Sequence, residues 1–288
     1  DFFSITPFSI GSEATGYAST AVFEQLKAGG QDLDIATAIA ISGAAASSNM
    51  GNQSMRPLAP LLAFLNVRLG YWLANPKLVL SPGNLRPNLW YFANEALGLL
   101  NENRDTVYLT DGGHIENLGI YELLRRRCRL IVAVDAEADP KMNFGSFVTL
   151  QRYARIDLGA RIDLPWKDLA TVTLESMSGK APPRHGPHCA VGRIEYDNGG
   201  TGILVYVKST VTGDENDYIS DYNKRNADFP HESTGDQFFS EEQFEVYRAL
   251  GFHAVNGMLS GEHAVATDKG LHKLSDEDCP SETAKAAA

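Results

Sequence analysis

The chain has 288 residues, 43% of them hydrophobic and 21% charged, which gives a globular protein with room for one large domain or two small ones. A formal net charge of -11 repels phosphate backbones and sets nucleic-acid binding aside. Cys128, Cys189 and Cys279 are too sparse and odd a set for a disulfide framework and suit a reducing compartment.

Residues 1–12 read as extended. Thr15 to Ala28 has the spacing of a helix, closed by Gly29-Gly30. Leu33 to Ala46 is a small-residue apolar run that predicts a short helix and strand. Pro57 to Ala74 is the most apolar stretch. Pro60, Asn66, Arg68 and Gly70 break it, so it is too short to span a bilayer and reads as a buried helix. Its other reading is a lipid-facing surface with Tyr71 and Trp72 at headgroup level. Prolines and asparagines make 75–88 a loop, and Leu89 to Leu100 a short helix follows.

Thr106 to Thr110 is β-branched and aromatic, as a strand requires, and runs into Asp111-Gly112-Gly113. A helix is predicted from near Asn117, with Leu118, Tyr121, Leu124 and Cys128 on one face. Leu130 to Val134 has the continuous apolarity of a buried central strand. Phe147 to Leu158 reads as a helix, and 161–175 as two short strands or one bent one. Residues 176–187 form a loop or junction. Cys189–Tyr196 and Gly202–Lys208 alternate around Asp197-Asn-Gly-Gly-Thr201, a β-hairpin pattern. Residues 212–237 are polar and turn-rich. Ser240 caps a helix, with Gln243 completing a capping box, to Leu250 or Leu259. The polar and Ala-rich tail, 261–288, has a disordered composition.

Few residues carry chemistry. An acid at a strand exit lies where α/β sheets place their ligands, although an isolated Asp-Gly-Gly is also an ordinary turn. Asp111 is the candidate catalytic residue. His114 reads as a turn hydrogen bond rather than a triad member, and Asp135 as a cap at a strand end. His185-Gly-Pro-His188-Cys189 lacks a second ligand pair and reads as a loop with chance histidines, so no metal site is expected. Ser42 lacks the flanking glycines of a nucleophile elbow. Arg125-Arg126-Arg127 reads as a solvated helix end.

Thr106-Val-Tyr-Leu-Thr-Asp111-Gly-Gly-His-Ile-Glu-Asn-Leu-Gly-Ile-Tyr-Glu-Leu-Leu-Arg-Arg126 resembles the acid motif of patatin-like lipid acyl hydrolases, nearest to their cytosolic phospholipase A2 and lysophospholipase branch. Arg129-Leu-Ile-Val-Ala-Val-Asp135, Phe3-Ser-Ile-Thr-Pro7-Phe-Ser-Ile-Gly-Ser12 and Ile41-Ser-Gly-Ala-Ala-Ala-Ser-Ser-Asn49 extend the likeness in order over 1–165. Phe229-Pro-His-Glu-Ser-Thr-Gly-Asp-Gln-Phe-Phe239 is similar to part of large bacterial members.

The resemblance implies a three-layer α/β/α patatin-like (lysophospholipase-like) domain over 1–175. It would be incomplete at its N-terminus, with a hairpin-plus-helix extension over 176–260 packed on it. It implies a Ser-Asp dyad in which Asp111 is the acid, acting on a phospholipid, lysophospholipid or other acyl ester without a cofactor. The family's Gly-x-Ser-x-Gly elbow and glycine-rich oxyanion loop do not occur in this sequence. The nucleophile is therefore expected upstream, in a missing N-terminal portion, and the chain alone is expected to be inactive. Peripheral membrane contact and a cytoplasmic or membrane-associated location go with that reading. The rival expectation is a non-catalytic lipid-binding or scaffold module with the same fold.

Overall fold

A computed structural model describes residues 1–25, 34–43, 70–78, 94, 97, 99–177, 187–233, 238–260 and 264–266. The protein is mixed α/β and divides into two units, 1–117 and 118–288. The junction expected near residue 176 lies inside the second unit.

The first unit begins with an antiparallel meander, β1 (Ser4–Ile5), β2 (Ser9–Ser12) and β3 (Gly16–Ser19). Among the described residues helix α1 covers Thr20–Gln25, so the helix expected from Thr15 starts late. The cause is pairing of Ser9–Ser12 with Gly16–Ser19, which uses the backbone groups a helix would need. Gly11 makes the tight return possible. It has φ +149, and a Cβ there would lie 2.0 Å from the Gly16 carbonyl oxygen.

Helix α2 (Ile35–Ser42) is started by Asp34, whose carboxylate accepts from Thr37 N at 2.6 Å. Of the long apolar stretch, 57–69 lie outside the described residues. Its end, Tyr71–Ala74, is strand β4 rather than helix. It pairs antiparallel with β5 (Thr106–Leu109), and Trp72 packs on Tyr108 at 5.2 Å. This corrects the reading of 71–74 as the end of a buried helix. Most of the helix expected over 89–100 also lies outside the described residues. Ile10, Phe23, Ile41, Leu73, Val107 and Leu109 form the core of this unit.

The second unit is built on a mixed sheet of order β10-β8-β9-β6, with β7 also on β8. The hairpin β8 (Cys189–Glu195) and β9 (Thr201–Lys208) forms as its alternation predicts. Strand β6 (Leu130–Asp135) pairs parallel with β9. Among the described residues it stands at the end of the sheet, and it alternates, with Ile131, Ala133 and Asp135 buried. Leu130, Val132 and Val134 are 60%, 55% and 70% exposed, which corrects the expectation of a buried central strand.

Helix α3 runs Tyr121–Arg125. It begins later than expected because Gly119 adopts φ +68, and it ends before Arg127, at φ 55. Glu122 holds Arg125 and Arg126 at 2.7 and 2.8 Å, and Arg127 meets Asp197 at 2.8 Å, so the basic triplet is paired. Helix α4 (Gly145–Asp157) is followed by β7 (Arg161–Asp163). Then comes α5 (Trp166–Met177), a helix where strands were expected. Leu169 and Ala170 bury from successive α5 positions beside Phe147, Leu150, Ala190, Ile194, Leu204 and Tyr206.

Within the polar stretch 212–237, α6 (Asp217–Arg225) is capped by Asn216 on Ile219 N at 3.0 Å. Ser240 caps α7 (Glu241–Ser260) through Gln243 N at 3.1 Å. The Gln243 amide donates to Glu232 at 3.0 Å, an interaction the capping-box reading did not foresee. Within the tail expected to be disordered, Ala264–Ala266 is strand β10, parallel to β8. Among the described residues no helix is long and apolar enough to cross a membrane.

Candidate functional site

Strand β5 delivers Asp111 to its C-terminal end, where a 3-10 turn, Gly112–His114, takes over. One Asp111 oxygen accepts from Gly113 N at 2.7 Å. Among the described residues no second hydrogen bond reaches this carboxylate. The two glycines differ. A Cβ on Gly112 would meet nothing within 4 Å, whereas one on Gly113 would lie 2.5 Å from Asn117 Oδ1 and 3.1 Å from Asp111 Oδ1.

Asp111 is half-buried and lines a cleft of about 1300 Å³ within the first unit. Phe2, Phe3, Ile5, Ile10 and Leu109 give it an apolar wall. The opposite contribution comes from α2, whose Ile35 and Ile39 line the cleft one helical turn apart. They are 80% and 67% exposed, while Ile41 is buried in the core. Ser42, at the end of the same helix, also lines this cleft. No local spacing joins it to Asp111, 69 positions away. His114 is buried with Nδ1 3.2 Å from Thr110 Oγ1, the local turn contact expected of it.

Asp135 sits in a closed network. Its Oδ1 accepts from Glu137 N at 2.8 Å, its Oδ2 takes the Tyr206 hydroxyl, and Lys208 Nζ lies 3.1 Å away. Burial, and then the Asp135 charge, push the Tyr206 phenol far above its ordinary range, so it stays a donor. This is the architecture of a structural pair holding β6 to β9.

The reading of His188 as a chance loop histidine is corrected. It is fully buried just before β8, beside Asp214, Glu215 and His253. His185 lies outside the described residues. Asp214, Glu215 and His253 are 26 to 65 positions further along, so no local spacing could have joined them to His188.

No family model matches this chain, and neither the curated proteins nor the solved structures contain a match to it.

Proposed function

We propose that the chain carries the acid half of a Ser-Asp lipid acyl hydrolase in a patatin-like three-layer domain. The observation that supports this best is a strand-end carboxylate with one oxygen engaged locally, set in a wide apolar cleft. In that reading Asp111 removes the proton of a serine hydroxyl as the serine attacks an acyl carbonyl. The alcohol leaves with that proton and an acyl-serine remains. Water then attacks, Asp111 takes its proton and returns it to the departing serine oxygen, and the fatty acid is released with the serine restored. The apolar wall and Ile35 and Ile39 would receive the acyl chain and meet the lipid surface.

The exposed Leu130, Val132 and Val134 of β6 are consistent with a sheet covered on both faces, as a three-layer domain requires. The serine is assigned to sequence upstream of this chain. The second reading, a lipid-binding module without chemistry, uses the same cleft and needs no nucleophile. An active-site fluorophosphonate probe separates them. Applied to the longer gene product, it labels a serine upstream of this chain if the proposal holds. No labelling supports the binding module, and labelling at Ser42 would move the nucleophile into the cleft described here.

A further inference from the structure

We infer that His188, Asp214, Glu215 and His253 form a structural zinc site in the second unit. The four donor atoms lie within 4.8 Å of one another and come from three separate stretches. His188 precedes β8, Asp214 and Glu215 lie in the turn between β9 and α6, and His253 is on α7.

The spacing fits ligands sharing one ion. His253 Nε2 and His188 Nε2 stand 3.2 and 3.4 Å from Asp214 Oδ1, and His188 Nε2 stands 3.9 Å from Glu215 Oε1. Charge-assisted N–H···O bonds are shorter, about 2.7–2.9 Å. Four ligands at ~2.05 Å from a tetrahedral zinc are separated by ~3.3 Å, which matches the two imidazole–Asp214 pairs. The two imidazoles meet edge to face with centroids 5.0 Å apart, which brings both Nε2 atoms to the same carboxylate oxygen.

The surroundings hold these groups in a ligating orientation. His188 Nδ1 lies 2.8 Å from Thr210 Oγ1, which leaves Nε2 toward the cluster. Thr212 Oγ1 donates to Asp214 Oδ1 at 2.8 Å. Thr212 N and Gly213 N donate to the two Glu215 oxygens at 2.6 and 2.8 Å. The Asp214 and Glu215 side chains are 4% and 0% exposed, and two carboxylates that deep call for positive charge, which a divalent ion supplies. His253 is 26% exposed and gives the ion a route in from solvent. Two nitrogens and two carboxylate oxygens in a closed four-ligand set suit Zn²⁺ and leave no position for substrate. The ion would clip the β9–α6 turn and α7 to the start of β8. It does not depend on the role of Asp111.

The full chain, stripped with a chelator, is titrated with Co²⁺ and with Zn²⁺. The expected result is one Co²⁺ per chain with the strong visible absorption of a tetrahedral ion, displaced by one Zn²⁺ and not by Mg²⁺. His253→Gln and Asp214→Asn are expected to weaken Zn²⁺ binding by at least about 100-fold, beyond the effect of losing an outer-shell partner. Absence of one-to-one binding, a weakly absorbing octahedral Co²⁺ complex, or affinity unchanged in either folded variant would overturn the assignment.

Discussion

Lys208 Nζ lies 3.1 Å from Asp135 Oδ2, with the two side chains 1% and 3% exposed. Lys208 also donates to the Glu137 carbonyl at 2.7 Å. A buried pair adds little over apolar residues of the same shape, but removing one partner strands the other charge. Lys208→Met should therefore destabilise the chain by about 3–5 kcal/mol in urea unfolding. Asp135→Leu combined with Lys208→Met should recover much of that loss. Additive losses in the double variant would mean the pair is not coupled as the structure has it.

The two glycines after Asp111 should behave differently. Gly112→Ala meets open space and should leave the proposed ester hydrolysis within about twofold, since the added methyl touches nothing. Gly113→Ala pushes Asn117 and crowds Asp111, and should lower kcat by about tenfold or more through misplacement of the acid. Equal effects at both positions would dissociate the turn geometry from catalysis.

Ile35 and Ile39 are the exposed apolar pair at the cleft. Ile35→Asp with Ile39→Asp should leave thermal unfolding nearly unchanged, because little buried area is lost. Binding to phosphatidylcholine vesicles should fall at least about tenfold, as loss of burial of two large apolar side chains predicts. Undiminished vesicle binding would remove α2 from the lipid-contact surface.

His231 gives a pH dependence with a defined sign. Burial lowers its imidazole pKa and the Lys208 charge adds to this, against opposition from Asp139, the Glu137 backbone and Asp135. Its Nδ1 accepts from Asp139 N at 3.2 Å, a bond that protonation of that atom breaks. A folded value below the ordinary 6.5 makes this contribution full above pH 6.5 and lost as pH falls through that region. His231→Gln should flatten the fall in Tm between pH 7 and pH 5.5. An unchanged slope would place the acid sensitivity elsewhere.

How much the sequence disclosed follows from which forces were local. The β8–β9 hairpin, the Ser240 cap and the strand leading to Asp111 were legible, because alternation, capping residues and turn glycines act over a few positions. Helix α5 was misread as strand, since its Thr171, Val172 and Thr173 carry β-branched side chains while packing of Leu169 and Ala170 decides the outcome. Leu130–Val134 showed its apolarity but not its place at the end of the sheet, which depends on pairing with residues about 73 positions away. His188 was discounted for the same reason, because its neighbours come from distant turns and a helix.

The most direct test of the account is the rate of fatty-acid release from a phospholipid or acyl-ester substrate by a gene product that carries this chain with the proposed upstream serine, wild type against Asp111→Asn. The variant keeps an oxygen for Gly113 N and should fold like the wild type. The account predicts a kcat at least about 100-fold lower, the size of a lost general base. Hydrolysis at the wild-type rate would contradict it.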